Sequence, residues 1–252
     1  MNFALLASGS KGNCCLVHHK DTNLVIDCGS TKKYLKECFT TLNYDYQTSD
    51  ALLITHTHKD HVSQIKMFKE IETYATQDIG TDHLHHIEPY QEFDIKDIHI
   101  TVLPMSHDCE GTVGFVLEAD DEKMVYITDT GYIREEVMSY IQDADYYVFE
   151  SNHDIEMLMQ TARPVYIKQR IINDYGHLCN EVSARILSEV ISETKTKEIV
   201  LAHISQEGNT RELALETLVE TLAKKHLSFE HMNLYAAEQF GIYQSNQGGL
   251  SE

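Results

Sequence analysis

Short apolar runs separated by Gly, Asp, Asn or Pro recur along most of this sequence. Runs of this kind are typical of strands that are buried in a sheet. The pattern predicts strands at residues 3–6, 14–18, 24–27, 51–54, 72–75, 98–103, 113–118, 124–128, 146–149 and 200–203, and one or two edge strands within 234–243.

Helical periodicity occurs between these runs. Residues 182–191 place their apolar side chains on one face of a helix, and Asn180 is the predicted cap of that helix. Ser30 and Asn209 are predicted to cap two further helices. The succession of strands and helices predicts a mixed fold of the α/β (α+β) class.

The sequence contains no linker, repeat or low-complexity segment. Its 252 residues, of which 42% are hydrophobic, are enough to bury a sizeable core. We therefore predict one domain over residues 1–252, with residues 244–252 as a frayed tail.

The formal net charge of −20 limits the partners of the chain. An anionic protein repels nucleic acid phosphates, so nucleic acid binding requires a local basic surface or metal ions. No apolar run approaches the roughly 20 residues that cross a bilayer, and no membrane partner is expected. The six cysteines form no CxxC pair, and the first residues do not resemble a secretory signal, which predicts a cytoplasmic protein.

Residues 56–61 have the sequence His-Thr-His-Lys-Asp-His and directly follow a predicted strand. Imidazole nitrogens and carboxylate oxygens are the ligands that zinc, manganese and iron accept in proteins. The sequence therefore predicts a metal site that includes His56, His58, Asp60 and His61.

Other polar side chains occupy equivalent positions at the ends of predicted strands. His56, His107, Asp129, Glu150 and His203 each come at or just past the carboxyl end of a strand. In layered α/β folds, ligand-binding groups collect at this edge of the sheet. These placements predict one shared site, with His107 as a further metal ligand and Asp129 in a position to bridge two cations.

Three further segments each allow two interpretations. Residues 8–13 (SGSKGN) form either a hairpin turn or a loop whose backbone approaches a phosphate. Residues 82–86, which contain three histidines, are predicted to be a solvated loop. Arg163, Lys168 and Arg170 form either a basic patch for phosphates or a solvated helix face.

The ordered ligand candidates resemble those of the metallo-β-lactamase fold superfamily. The resemblance implies a four-layer αββα sandwich with two mixed sheets between outer helices. It also implies two divalent metal ions per chain, with zinc or manganese favoured over iron. By this resemblance His56, His58 and His107 bind the first ion, Asp60, His61 and His203 bind the second, and Asp129 bridges them.

Four segments resemble the WalJ/YycJ group of this superfamily: SGSKGN at 8–13, ESNHD at 150–154, GHLCN at 176–180 and LAHIS at 201–205. This group is related to the ribonuclease Z and ribonuclease J branch and is described as metal-dependent nucleases that act on DNA. In the ribonuclease Z branch a histidine after a glycine donates a proton, and an earlier glutamate supports it. His177 and Glu150 match those positions.

The resemblance implies a two-metal phosphodiesterase, and specifically a DNA exonuclease with DNA favoured over RNA. Two cations ~3.5–4 Å apart would share a hydroxide that attacks the phosphorus. Asp60, Glu150 and His177 are the expected catalytic residues, with His177 as the general acid and Glu150 holding its imidazole in the protonated form. The expected substrate contacts are Ser10, Asn13, His153, Lys168 and Arg170.

Two alternative functions remain open on the same fold. The chain could hydrolyse a small phosphodiester or ester, which its acidic surface would allow. It could also be a non-catalytic metal-bound scaffold in signalling, although the full ligand set argues against this hypothesis. The sequence predicts no oligomeric state.

Overall fold

Fourteen strands form the centre of the described part of the chain, residues 1–245 of a computed structural model. They are β1 (Asn2–Ala7), β2 (Cys14–His19), β3 (Thr22–Ile26), β4 (Ala51–Leu53), β5 (Thr73–Ala75), β6 (Leu84–His86), β7 (Glu92–Ile95), β8 (Ile98–Pro104), β9 (Val113–Ala119), β10 (Glu122–Ile127), β11 (Tyr146–Glu150), β12 (Glu198–Ala202), β13 (Asn233–Ala236) and β14 (Phe240–Gln244). One sheet has the order β14-β1-β2-β3-β4-β5-β6, and the other has the order β13-β12-β11-β10-β9-β8-β7.

Seven helices accompany the sheets within residues 1–245: α1 (Lys32–Thr41), α2 (Lys59–Val62), α3 (Glu135–Met138), α4 (Ile155–Gln160), α5 (Val165–Ile172), α6 (Asn180–Val190) and α7 (Arg211–Lys224). Short 3-10 turns cover Tyr46–Thr48 and Ile65–Phe68. Over this part of the chain, no helix combines the length and the hydrophobicity that crossing a membrane requires.

The alternation of side chains along each strand separates the core into layers. In β11, Tyr146 and Val148 join the cluster between the two sheets, whereas Tyr147 and Phe149 face the cluster that includes α6 and α7. A third cluster buries Phe39 of α1 on the outer face of the first sheet. Because successive strand residues point to opposite faces, one sheet supports two cores. The predicted αββα sandwich is confirmed.

Strand direction places the carboxyl ends together. Strands β3 to β6 are parallel to one another, and so are β10 to β13. Strand β8 runs antiparallel to β9, and β9 runs antiparallel to β10, so β8 ends at the same edge as β10. The loops that follow β4, β8, β10, β11 and β12 therefore meet at one edge of the sandwich.

The predicted helix caps are each displaced by one residue. Thr31, not Ser30, accepts the hydrogen bond from the Tyr34 amide at 3.2 Å. Thr210, not Asn209, caps α7, and Cys179 precedes α6. Asn180 and Asn209 do not cap α6 and α7 because a tertiary contact uses their side chains. They form hydrogen bonds of 2.8 and 2.9 Å with each other inside the protein.

Residues 82–86 were predicted as a loop, but Leu84–His86 form strand β6. The side chains are exposed and show no strand pattern, so only pairing with β5 identifies the strand. His85 also stacks on Tyr74 with ring centroids 4.6 Å apart. Strand β7 and helix α3 are two further elements that the sequence pattern does not predict.

The predicted tail begins too early. Gln244 pairs with Ala4 in the sheet, and Ser245 is buried and accepts a hydrogen bond from the Phe3 amide at 3.1 Å. The two predicted edge strands, β13 and β14, are both present at sheet edges. Residues 246–252 of the predicted tail lie outside the described residues, and the single domain over 1–252 stays a prediction.

Replacement of Phe115 tests the core between the sheets. Phe115 is fully buried there, so Phe115→Ala should lower the free energy of unfolding by about 3–5 kcal/mol. Urea unfolding of metal-saturated protein measures the loss. The control Phe240→Ala removes a ring that is 43% exposed and should change the free energy by less than about 1 kcal/mol. Equal losses would contradict the assigned core.

Candidate metal centre and active site

The predicted ligands converge where the carboxyl ends of the two sheets meet. His56 follows β4 in the first sheet, whereas Asp129, Glu150 and His203 lie at the ends of the parallel strands β10, β11 and β12. The His203 amide donates a hydrogen bond to Ser8 Oγ at 2.8 Å, which ties the two sheets together at this edge.

Three histidines form the first group of ligand atoms. His56 Nε2 lies 3.1 Å from His58 Nδ1, and His107 Nε2 lies 3.3 Å from the same atom. Nitrogen ligands ~2.0–2.1 Å from a tetrahedral zinc ion are about 3.3 Å apart. The spacing of the three nitrogens therefore fits a metal ion.

Asp60, His61 and His203 form the second group. Asp60 Oδ2 lies 3.7 Å from His61 Nε2 and 3.9 Å from His203 Nε2. Asp129 lies between the groups, with Oδ2 3.2 Å from His61 Nε2 and Oδ1 3.9 Å from His107 Nε2. The structure thus brings together all seven predicted ligands.

Two buried atoms of this centre lack a hydrogen-bond partner: Asp129 Oδ2 and His203 Nε2. Buried polar atoms are nearly always paired in native proteins. One of these atoms belongs to a carboxylate and the other to an imidazole, so a divalent cation is the ligand that would satisfy both. The residues present therefore fit a metal ion.

The electrostatics of the centre also favour bound cations. Burial lowers the pKa of His56 well below its usual value and lowers that of His107, which keeps both imidazoles neutral and able to coordinate. Burial opposes a charge on His203, but the Asp129 and Glu150 carboxylates outweigh it and raise its pKa to about 9. The local field therefore attracts positive charge.

Asp27 supports the second group and was not predicted as a site residue. It is completely buried, and its Oδ2 accepts a hydrogen bond from His61 Nδ1 at 2.7 Å. Its Oδ1 accepts from the Thr55 amide at 2.9 Å. A carboxylate on the far nitrogen of a ligating histidine fixes the tautomer and the ring orientation. Its place directly after β3 was the available signal.

Three of these side chains extend from left-handed backbone. Asp27, Asp129 and His203 have φ values of 60°, 55° and 54°. This conformation is uncommon for residues other than glycine, although Asn, Asp and His adopt it more often than most. Each turn stops its strand and directs the side chain inward.

Glu150 and His177 form a pair beside the ligands. Glu150 is completely buried and accepts hydrogen bonds from His177 Nδ1 at 2.7 Å and from His203 Nδ1 at 3.0 Å. The amides of Thr130 and Leu178 donate to its other oxygen at 3.0 and 3.1 Å. Burial opposes ionisation, but the His177 and His203 imidazoles outweigh it and lower the pKa of Glu150 to about 2.

A cleft of about 350 Å³ opens over this centre. Its lining includes metal-ligand candidates and His177, together with Ser10, Lys59, Arg163 and Arg170. Basic side chains therefore gather at the cleft of a chain whose net charge is −20.

Comparison with known proteins places this centre in a family. The family model described as "Beta-lactamase superfamily domain" matches residues 22–204. Exodeoxyribonuclease YycJ of Bacillus anthracis is 34% identical over 239 residues, which cover 89% of this chain and 90% of that protein. Exodeoxyribonuclease WalJ of Streptococcus pneumoniae is 31% identical over 241 residues, which cover 89% of each.

The chain belongs to the metallo-β-lactamase superfamily. Within it, the chain is a relative of the WalJ/YycJ group, as its motifs indicated. The family and the clustered ligand atoms identify it as a hydrolase that depends on divalent metal ions. The metallo-β-lactamase fold protein YhfI from Bacillus subtilis has the same fold, with a TM-score of 0.67, 18% identity, and coverage of 97% of this chain and 99% of that chain.

Within this metallo-β-lactamase fold, Lys168 does not reach the cleft, which corrects its prediction as a substrate contact. The residue is buried, and its Nζ donates hydrogen bonds to the carbonyls of Met159 at 2.6 Å and Thr161 at 2.8 Å. Its ammonium is used to hold α4 against α5. Ser10 and Arg170, in contrast, do line the cleft.

The prediction that Asn13 and His153 contact the substrate is also wrong. Asn13 is buried, with its amide bonded to the Gly9 backbone and with Nδ2 2.8 Å from His61 Nε2. His153 is buried beside Cys179, and burial lowers its pKa to about 4. Asn13 therefore shapes the metal centre, and His153 belongs to the interior.

The loop with His177 is fixed to the metal centre through Gly176. The Gly176 carbonyl accepts a hydrogen bond from His107 Nδ1 at 3.1 Å. A Cβ at this glycine would lie 2.1 Å from the Ile171 carbonyl oxygen, so a larger residue would displace the loop. This loop therefore links helix α5 and His177 to His107, a candidate metal ligand.

Asp27→Asn should weaken metal binding about 10- to 100-fold, because an amide cannot accept from His61 as the carboxylate does. Competition with a coloured chelator measures the affinity. The control Asp145→Asn alters a buried carboxylate that bonds Lys123 and Lys197 away from the metal centre. It should cost stability and keep the metal affinity. Wild-type affinity in Asp27→Asn would remove Asp27 from this role.

Proposed function

We propose that this protein is a two-metal phosphodiesterase that removes nucleotides from the end of a DNA strand. The observation that carries the proposal is the Glu150–His177 pair, because His177 lines the same cleft as members of both groups of candidate metal ligands. Relatives with 31% and 34% identity are named exodeoxyribonucleases, which supports DNA over RNA as the substrate.

The proposed ligand assignment follows the two groups. His56, His58 and His107 would hold one ion, Asp60, His61 and His203 the other, and Asp129 would contact both. Asp129 supports this assignment because its two oxygens approach different groups. Zinc and manganese suit these nitrogen and oxygen donors best, and iron is compatible with them.

Divalent ions bound here supply a nucleophile from water and neutralise the charge that develops on the phosphate oxygens. The chain supplies the remaining steps. Because Glu150 accepts from Nδ1 of His177, the other ring nitrogen is left to donate its proton to the departing oxygen of the DNA. Glu150 therefore orients the imidazole for this transfer.

The basic side chains at the cleft would hold the DNA phosphates. Lys59, Arg163 and Arg170 line it, and arginine guanidinium groups bind phosphate oxygens with two parallel hydrogen bonds. Ser10, from the loop at residues 8–13, offers a hydroxyl at the same cleft. These groups provide the local basic surface that a protein with a net charge of −20 needs for this substrate.

All six cysteines are free thiols, and five of them are buried. Unpaired cysteines are usual in reducing compartments, so we include a cytoplasmic location in the proposal.

His177→Ala should lower the turnover of DNA about 10²- to 10⁴-fold and leave the metal content unchanged. The loss should be smaller on bis(p-nitrophenyl) phosphate, because its leaving group departs without a proton. Elemental analysis and initial rates on both substrates test this. His99→Ala, which removes a histidine with a 41% exposed side chain, serves as the control and should behave as wild type. Equal losses on both substrates would contradict the general-acid role.

Asp60→Ala should reduce the metal content from about two ions per chain to about one. The matched control is Asp108→Ala, since Asp108 lines the same cleft but is not a proposed ligand. Elemental analysis after exhaustive dialysis distinguishes the two variants. Retention of both ions in Asp60→Ala, or loss of one in Asp108→Ala, would overturn the ligand assignment.

The substrate is tested with end-labelled single- and double-stranded DNA, matched RNA and a small diester, each incubated with metal-reconstituted protein. Stepwise shortening of DNA from one end is the expected result, and it should stop when a chelator removes the ions. Turnover of the small diester alone would favour a small-molecule hydrolase, and no turnover of any substrate would favour a scaffold.

A further inference from the structure

The exposed apolar side chains of the described residues are concentrated in one segment of the chain, which also contributes residues to the cleft. Of the eleven large apolar or aromatic side chains with high exposure in residues 1–245, six lie between residues 155 and 175. They are Ile155, Met159, Val165, Tyr166, Ile172 and Tyr175. Concentrated exposed apolar side chains are unusual on a soluble chain and commonly mark a binding surface.

Two tyrosines of this surface lie close in the chain to residues that line the cleft, and we call them the aromatic rim: Tyr166 and Tyr175. Their exposed fractions are 68% and 64%. Tyr166 is four residues before Arg170 on α5, so it shares a helix face with this cleft arginine, and Arg163 comes just before the helix begins. Tyr175 directly precedes Gly176 and His177, which both line the cleft.

Hydrogen bonds hold the backbone that carries the aromatic rim. The buried Lys168 ammonium fastens α5 to the end of α4. At the other end of α5, the Asn173 side chain donates to the Gln169 carbonyl at 3.0 Å and accepts from the Tyr175 amide at 2.7 Å. The backbone at both tyrosines is therefore in place before any substrate arrives, which lowers the entropic cost of binding.

The arginines beside the rim are available to a phosphate. Arg163 pairs with Glu207 at 3.0 Å, and Arg170 pairs with Asp108. One side chain of each pair is exposed, Glu207 at 60% and Arg170 at 59%, whereas Arg163 and Asp108 are 29% and 26% exposed. Ion pairs that are partly open to solvent contribute little to stability, so phosphate oxygens can replace the carboxylates.

We propose that the aromatic rim stacks unpaired bases of a single DNA strand while Arg163 and Arg170 hold its phosphates. This proposal rests on the proposed nuclease function. Aromatic rings interleaved with basic groups are the usual means of binding single-stranded nucleic acid without sequence preference. Paired bases are already stacked inside a duplex, so the rim selects an unpaired end.

A second copy of this chain is the competing occupant of the same surface. The charges argue against it, because a face that brings two arginines to the cleft of an anionic chain complements phosphates better than it complements itself. The position of Tyr175 directly before Gly176 and His177, which line the cleft, also favours a ligand that reaches the cleft.

The test compares the double variant Tyr166→Ala/Tyr175→Ala with wild-type holoprotein. Fluorescence anisotropy measures binding of a phosphorothioate single strand, which resists cleavage, and of the same sequence as a blunt duplex. Loss of stacking should raise Kd for the single strand about tenfold or more and for the duplex about twofold or less. The KM for single-stranded DNA should rise while kcat and the turnover of bis(p-nitrophenyl) phosphate stay constant.

Two controls separate ring stacking from general damage. Tyr166→Phe/Tyr175→Phe keeps both rings and should bind as wild type. Tyr90→Ala removes a tyrosine that is 40% exposed and packs against Tyr140 with ring centroids 5.8 Å apart, and it should also bind as wild type. A 2-aminopurine base near the strand end should lose fluorescence on binding to wild type, because it stacks, and keep it with the double alanine variant.

Equal Kd values for wild type and the double alanine variant would overturn the aromatic rim, and so would equal weakening for both DNA forms. Light scattering that shows a wild-type dimer and a monomeric double variant would assign the surface to a second copy. The nuclease proposal fails separately: tyrosine-dependent binding without cleavage of any DNA would overturn it and leave the rim in place. Cleavage of DNA that does not depend on the two tyrosines would support the nuclease proposal and overturn the aromatic rim.

Discussion

Three buried carboxylates, Asp27, Asp129 and Glu150, determine how this edge of the sandwich is built. A buried charge is tolerated only when it is paired and hydrogen-bonded. Asp27 and Glu150 meet that requirement through hydrogen bonds from histidines, His61 at Asp27 and both His177 and His203 at Glu150. Asp129 is ion-paired with His61, but its Oδ2 lacks a hydrogen-bond partner. The positions of these six chemically active side chains therefore depend on one another, and a bound cation would complete the balance.

The two-sheet arrangement is what makes this network possible. Strand ends of one sheet contribute His56 and Asp27, and strand ends of the other contribute Asp129 and Glu150. Neither sheet carries a complete ligand set. The hydrogen bond from His107 to the Gly176 carbonyl extends the network to the loop of the general-acid candidate. The way the two sheets pack on each other therefore determines the distances between the candidate ligands.

The sequence revealed the ligand candidates because they occupy a repeated position, the residue after an apolar run. Asp27 also lies at the end of an apolar run, so the same rule applies to it. It was not predicted because no other ligand candidate lies next to it in the sequence. Helix caps were predicted one residue away because Asn180 and Asn209 serve a buried network that only the folded chain creates. The capping preference of a residue does not include a hydrogen-bond partner that is distant in the sequence.

The direction in which a side chain points is the second feature that could not be predicted from the sequence. Lys168 and Arg170 belong to the same predicted basic patch, yet one points into the protein and the other lines the cleft. Strand β6 was missed because backbone pairing with β5 forms it, and its exposed histidines carry no strand pattern. The sequence shows which functional groups are present, whereas tertiary contacts determine which of them face the cleft.

The left-handed backbone at Asp27, Asp129 and His203 has a consequence for how this centre could evolve. Only a few residue types tolerate that conformation well, so replacement at these positions is limited by the turn as well as by the metal. A change toward thiolate ligands and softer metals would meet less resistance at His58, where φ is −60°. The backbone thus restricts which metal preferences mutation can explore.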